Sequence, residues 1–204
     1  MKRNYRLPVR ENGKKTFNEI IETSRKLFAI KGYSNTSINE IISEASIATG
    51  TFYQYFDDKY AVYEYLLFQY QKEIRRAIGK AISQYDSKYD QELYGLTAFI
   101  NFICADKLAF KIIWESMMID INLFREYYIG FAKNYVKQLK KGVETKELRD
   151  DLSLETIAYS LMGIANFVGL QAIILSGDDI CLSNEKIERL AREAMKLIDK
   201  GIFK

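Results

Sequence analysis

The chain contains no histidine, and that one absence removes Ser-His-Asp and Cys-His nucleophilic sites together with every metal site built on imidazole. Proline occurs once in 204 residues, at Pro8, so nothing beyond it breaks a helix by that route. The two cysteines, Cys104 and Cys181, lie far apart without CxxC spacing or a secretory leader, which predicts reduced thiols in a cytoplasmic protein. No glycine-rich phosphate loop is present. Carboxylates remain for acid–base chemistry, but they fall mostly at helix edges and loops, where solvated surface is the default, so no catalytic residue, metal or cofactor is expected. No apolar run reaches the ~18 to 20 uncharged residues of a membrane span, although residues 157–176 come near, and no membrane partner is expected. The net charge is only +3, too weak for a general nucleic-acid coating.

What charge there is clusters at the start. Residues 1–15 hold Lys2, Arg3, Arg6, Arg10, Lys14 and Lys15 against Glu11 alone. Such an arm either enters a minor groove or is a tail that attracts DNA weakly. Behind it, Phe17, Ile20, Ile21, Ser24, Leu27 and Phe28 repeat at helical spacing until Gly32, which reads as a left-handed C-cap. A second helix starts at Thr36 or Ser37, where Ser37 and Glu40 form the Ser-x-x-Glu capping box, and carries Ile38, Ile41, Ile42 and Ala45 on one stripe. The chain turns at Ser46 and Ile47 and restarts near Ala48 or Thr49 as a helix of barely two turns, with Phe52 and Phe56 inward. This leaves Thr49, Gly50, Thr51, Tyr53, Gln54 and Tyr55 outside, small or hydrogen-bonding and almost uncharged, suited to base edges and phosphates. Lys59 opposes the dipole of the helix it begins. It is either a phosphate ligand at that N-terminus or a solvated surface lysine.

The segment resembles the N-terminal helix-turn-helix of the tetracycline-repressor (TetR/AcrR) regulators, through Thr36-Ser37, Ala45-Ser46-Ile47 and the run Gly50-Thr51-Phe52-Tyr53-Gln54-Tyr55-Phe56-Asp57-Asp58-Lys59. The resemblance implies that Thr36 or Ser37, Tyr53 and Lys59 hold phosphates while Thr49, Gly50, Thr51 and Gln54 face bases. Tyr55 stands where the family often has histidine. Ser46 replaces the usual turn glycine, and Ala48 the usual capping serine, a loss of ~1 kcal/mol unless Thr49 caps instead.

From residue 58 onward the pattern is helical. Tyr63, Leu66, Leu67, Tyr70, Ile74, Ala77, Ile78 and Ala81 keep one face for roughly 20 residues, about 30 Å. Helices follow over about 93–104, 108–119, 123–141 (stopped by Gly142), 154–176 and 184–200. The helix over 154–176 is apolar on two stripes, one of which includes Gly163, Phe167, Leu170 and Ile174, and the last helix carries Leu190, Ala194 and Leu197. Either these helices form an isologous four-helix interface between two subunits, as the resemblance also implies, or the first is simply a central core helix.

The middle helices are rich in aromatics. Phe102, Phe110, Trp114, Met118, Tyr128 and Phe131 are candidate walls of an apolar cavity, with Glu115 and Asn166 as its polar points. Ordinary core packing accounts for the same residues. A lipophilic cation, a fatty-acyl compound and an aromatic metabolite are all compatible occupants.

The expected architecture is therefore all-α: an arm and helix-turn-helix DNA-binding domain over 1–58, and a helical-bundle ligand-binding and dimerisation domain over 59–204. The expected function is a homodimeric, cytoplasmic transcriptional repressor that binds double-stranded DNA at a palindromic operator and is released by a small apolar or amphipathic effector. The alternative is a helical assembly or scaffold protein of the same fold without operator binding.

Overall fold

The computed structural model describes residues 4–177 and 181–202, so Lys2 and Arg3 of the basic arm lie outside the described residues. Among the described residues the architecture is all-α, with the helices α1 (Glu11–Lys31), α2 (Ile38–Glu44), α3 (Thr49–Tyr55), α4 (Lys59–Ile82), α5 (Lys88–Ala105), α6 (Lys107–Ile119), α7 (Ile121–Glu144), α8 (Leu154–Ser176) and α9 (Asn184–Ile202). They pack as two compact units, the first made of Met1–Tyr70 with Leu108–Arg125, the second of Gln71–Lys107 with Glu126–Lys204. Helix α6 thus packs with the N-terminal helices.

The core of the first unit is aromatic. Phe28, Phe52, Phe56 and Tyr63 are fully buried, and Phe17 stacks on Phe56 with ring centroids 5.0 Å apart while meeting Tyr65 edge-on at 4.9 Å. Each such ring stabilises the unit by about 1.5–3 kcal/mol through burial alone. The capping box forms as its residues dictate: Glu40 N–H donates to Ser37 Oγ at 3.2 Å and Ser37 N–H to Glu40 Oε2 at 2.8 Å. Gly32 ends α1 at φ +82° with ψ 160°, a positive-φ cap outside the left-handed helical basin.

The turn between α2 and α3 is a Schellman motif. Ile47 N–H donates to Ile42 O and Ser46 N–H to Ser43 O, with Ser46 at φ +52°. Serine therefore accepts the left-handed conformation that glycine takes without strain. Ala48 is the N-cap of α3 and provides no side-chain bond, so the Thr49 hydroxyl is not spent on capping.

In the second unit, α5, α8 and α9 close on a core that includes Leu96, Ile100, Leu161, Ala191 and Met195. Helix α5 begins at Lys88, inside the polar stretch, because Ser87 caps it by accepting Asp90 N–H. Gly142 does not stop α7. The helix runs to Glu144 and ends in a second Schellman motif in which Lys146, not glycine, has positive φ (+63°), with Glu147 N–H on Gly142 O and Lys146 N–H on Val143 O. Gly142 answers to space instead, since a Cβ there would lie 2.8 Å from Leu148 Cδ1 and from Lys88 Cγ.

Helix α8 is long and apolar enough, by length and composition, to cross a bilayer, more than the sequence reading allowed. One of its faces supplies Ile157, Ala158, Leu161 and Ala172 to the core; another leaves Phe167, Ile174 and Leu175 exposed. Cys104 and Cys181, distant in sequence, are neighbours: Leu182 N–H donates to Cys104 Sγ at 3.2 Å, and burial followed by the hydrogen bond to Cys104 pushes the Cys181 thiol up to about 11.

Candidate nucleic-acid interface and ligand cavity

Helix α3 presents Thr49, Gly50, Tyr53 and Gln54 to solvent with Thr51 half-buried, and no charged group lies on it. Phe52 and Phe56 anchor its other side. Tyr55 differs from the expectation. It is buried, its ring edge-on to Phe17 at 5.6 Å, because positions 52, 55 and 56 share one helical face. Its hydroxyl oxygen sits 2.9 Å from where a Cβ on Gly13 would lie, so a larger residue at that point of α1 would have to displace the Tyr55 hydroxyl.

Thr36 is also buried, and its hydroxyl donates to Gly32 O at 2.9 Å; of that pair, exposed Ser37 is the one on the surface. Lys59 is half-buried and turned inward. Its ammonium donates to Tyr33 O and Thr36 O, each at 2.7 Å, and lies 4.2 Å from the Tyr33 ring centroid. These carbonyls follow α1 and precede α2, so the dipole-opposed lysine fastens the loop between them. Burial lowers the Lys59 pKa, partly offset by Glu115 and Glu40. Asp58 supplies the favourable charge at the start of α4, accepting Ala61 N–H at 2.7 Å.

Part of the basic arm is docked beside α3. Tyr5 bridges antiparallel to Phe56, Arg6 N–H donates to Tyr55 O at 2.8 Å, Asp57 N–H donates to Asn4 O at 3.1 Å, and Arg6 pairs with Asp57 at 2.8 Å. Lys14 pairs with Glu11 at 2.6 Å. The sequence offered no periodicity from which this pairing could be foreseen.

Helix α6 braces the same head. Glu115 Oε1 accepts Tyr33 N–H at 2.8 Å, Lys111 donates to Ala29 O, Tyr63 donates to Ile112 O at 2.5 Å, and Tyr60 donates to Asp120 Oδ2 at 2.6 Å. Hydrogen bonding from Tyr60 holds the Asp120 carboxyl down, and burial with Asp120 raises the Tyr60 phenol. Four of the candidate ligand contacts fall in this first unit: Glu115 in this brace, Phe110 in the core, Trp114 partly exposed beside Phe110, and Met118 exposed.

The second unit holds a cavity of about 350 Å³ among α4, α5, α7, α8 and α9. Tyr128, Phe131 and Asn166 line it, and Phe102 does not. The Tyr128 hydroxyl is 3.5 Å from Asn166 Oδ1, and Asn166 Nδ2 donates to Met162 O at 2.7 Å. Arg75, Lys88 and Glu92 also line the cavity and were not foreseen, since each reads in sequence as the polar face of an amphipathic helix. Burial raises the Glu92 carboxyl above its usual range, opposed by the Tyr135 hydroxyl that donates to it and by Lys88.

Of the candidate interface residues, Phe167, Ile174 and Leu197 are exposed, Gly163, Leu170 and Leu190 are half-buried, and Ala194 is buried in its own protomer's core.

Residues 20–66 match the model of the family "Bacterial regulatory proteins, tetR family". The chain is 47% identical over 61 residues to the uncharacterized HTH-type transcriptional regulator YuxN of Bacillus subtilis, covering 29% of this chain and 21% of that protein. It is 32% identical over 87 residues to the HTH-type transcriptional regulator HbdR of Aromatoleum sp., covering 43% and 33%. The chain thus spans a fifth to a third of the length of these curated relatives. Among solved structures, the fold matches a putative TetR-family regulator from Syntrophomonas wolfei (TM-score 0.78, 21% identity, 92% of this chain and 96% of that one). It also matches FadR from Bacillus subtilis in complex with stearoyl-CoA (TM-score 0.76, 16% identity, 91% and 98%). At these identities the likeness is one of fold.

Proposed function

Because the chain belongs to the tetR family of bacterial regulatory proteins and carries its DNA-binding helix-turn-helix, we propose that it is a cytoplasmic homodimeric repressor that binds a palindromic operator and leaves it when a small amphipathic molecule enters the cavity of the second unit. The observation that carries the reading is the outer face of α3. Thr49, Gly50, Tyr53 and Gln54 stand exposed on a helix whose other face is locked by Phe52 and Phe56 and whose preceding turn is fixed by hydrogen bonds. Gln54 can reach a base edge through its amide, and Tyr53 and Ser37 can donate to phosphates. Lys59 contributes positive charge behind the N-terminus of α2 while holding the loop; a phosphate role for it is shared with that structural one.

Dimerisation is supported by apolar surface that one protomer leaves uncovered: Phe167 is 64% exposed, Ile174 68% and Leu197 81%. Two copies joined through α8 and α9 make an isologous four-helix interface, and two reading helices then suit half-sites about 34–36 Å apart. Helix α4 bears Lys59 at its first residue and cavity-lining Ile74, Arg75, Ile78 and Ile82 further on. An effector that prefers one setting of this helix lowers operator affinity by no more than its differential affinity for the two states.

The test is fluorescence-anisotropy binding to the DNA immediately upstream of the protein's own gene, against a scrambled duplex at near-physiological salt. A preference of ~10³-fold or more, at two chains per duplex, is the expected result. Gln54→Ala should reduce discrimination between duplexes, with Tyr53→Phe weakening both. Equal, weak, salt-sensitive binding there and to every fragment of a genome-wide selection overturns the reading.

A further inference from the structure

The charges on the cavity wall distinguish among its possible occupants, and from them we infer that the effector is an anionic amphiphile, an apolar body with one carboxylate head, seated on Arg75. The inference rests on the cavity being the effector site. Among the described residues three charged side chains line that cavity: Arg75, Lys88 and Glu92. Two have partners already. Glu92 accepts the Tyr135 hydroxyl and lies in the field of Lys88; the Lys88 ammonium donates to Gln91 Oε1 at 2.9 Å and feels both Glu92 and Glu147.

Arg75 is different. Its Nε and Nη2 donate to the backbone and amide oxygens of Gln71, its Cζ lies 5.4 Å from the Phe131 ring centroid, and among the described residues no carboxylate pairs with it. Gln71 is itself buried and its Nε2 donates to Tyr127 O at 2.6 Å, so its amide oxygen is fixed toward the arginine. The guanidinium is therefore held in one orientation with donors left over, since it has five and Gln71 takes two. A planar fork of this kind matches a carboxylate, and the match is strongest where water is displaced by apolar walls. Burial lowers the Arg75 pKa, as befits a cation that has lost solvent and gained no counterion.

The alternatives fit less well. A lipophilic cation would face two positive side chains against one carboxylate that already accepts a hydrogen bond. An uncharged aromatic would fill the space and leave Arg75 unpaired, a penalty the carboxylate removes. Ile74, Ile78, Phe99, Leu161 and Ile198 supply the apolar surface for the body of the ligand. The volume, about 350 Å³, is at the small end for ligand sites, which favours a medium-length alkanoic acid or a one-ring arylalkanoic acid over a large lipid.

The experiment is titration calorimetry of the full-length protein with four probes: decanoate, 4-phenylbutyrate, decanol and decyltrimethylammonium. Decanoate or 4-phenylbutyrate should bind saturably, one per chain, tighter than decanol, and the tighter of the two identifies the alkyl or aryl source. Arg75→Gln should weaken the acid by about 10- to 100-fold with decanol changed less than twofold, and Arg75→Lys should recover part of the loss. The decanol control shows that the variant cavity is still formed. Tighter binding of decyltrimethylammonium than of either acid, undiminished acid binding by Arg75→Gln, or no binding of any probe overturns the inference. Operator release is measured separately by anisotropy: an acid that binds through Arg75 without releasing DNA upholds the ligand class and refutes induction.

Discussion

Glu115 Oε1 on α6 accepts the backbone N–H of Tyr33 at 2.8 Å, a bond spanning 82 residues of sequence that holds the loop between α1 and α2. The same loop receives Lys59 on its Tyr33 and Thr36 carbonyls, so one anionic and one cationic side chain satisfy its donor and acceptor groups. Gly32 is required beside them, with φ at +82° and Glu115 Oε1 only 3.2 Å from where a Cβ would be.

Glu115→Ala leaves the Tyr33 N–H without its partner, at a cost of about 1–3 kcal/mol. Thermal melting should show a Tm lower by about 2–4 °C per kcal/mol, and operator titration of the folded protein should show weaker binding. A melt and an operator affinity equal to wild type would mean the brace does not support the head.

Glu40 makes the stability of the head depend on acid. The Lys31 ammonium at 2.7 Å, then the Ser37 N–H and hydroxyl, hold its carboxyl down to about 2 from 4.5. A pKa depressed on folding means stability fully present above 4.5 and lost as pH falls toward 2, because the unfolded chain binds the proton first. Thermal melts of wild type and Glu40→Gln across pH 2–6 should differ most at the upper end and converge near pH 2. Parallel curves would sink the assignment.

Ser46→Gly should stabilise the chain. Serine at φ +52° bears roughly 1–2 kcal/mol of left-handed strain, and glycine gives back part of that relief as extra freedom of the unfolded chain. A net gain near 0.5–1 kcal/mol, read as a small rise in denaturation midpoint, is the expected outcome. A lower midpoint would show that the Ser46 side chain contributes more than its backbone costs.

Gly142→Ala should do the opposite. The added methyl meets Leu148 Cδ1 and Lys88 Cγ at 2.8 Å, and Leu148 is completely buried. Overpacking of this order costs about 1–3 kcal/mol, visible in chemical denaturation. Wild-type stability would mean that the Lys88 stem moves aside freely.

The legible parts of this fold were those with local causes. The capping box at Ser37 and Glu40, the inward Phe52 and Phe56, and the span of α8 follow from spacing and side-chain chemistry within a few residues. Tyr55, placed outward in the sequence analysis, is buried instead: 52, 55 and 56 lie on one helical face, and that geometry outweighs the polarity of a phenol. Other features depend on neighbours that periodicity cannot name. A buried stripe on α6 says that something covers it, not that Glu115 will meet Tyr33, so aromatic richness alone grouped Trp114 and Met118 with a cavity lined by other helices. Gly142 reads as a stop because glycine often ends helices; here it admits a side chain from a distant turn.

The pairing of Asn4 and Arg6 with Asp57 and Tyr55 has a practical side. Two backbone hydrogen bonds and an ion pair connect Asn4 and Arg6 to the last residue of α3 and to Asp57 just beyond it. A purification tag, cleavage scar or fusion partner joined immediately ahead of Asn4 therefore abuts the helix proposed to contact DNA, and operator affinities measured with and without it compare two different surfaces.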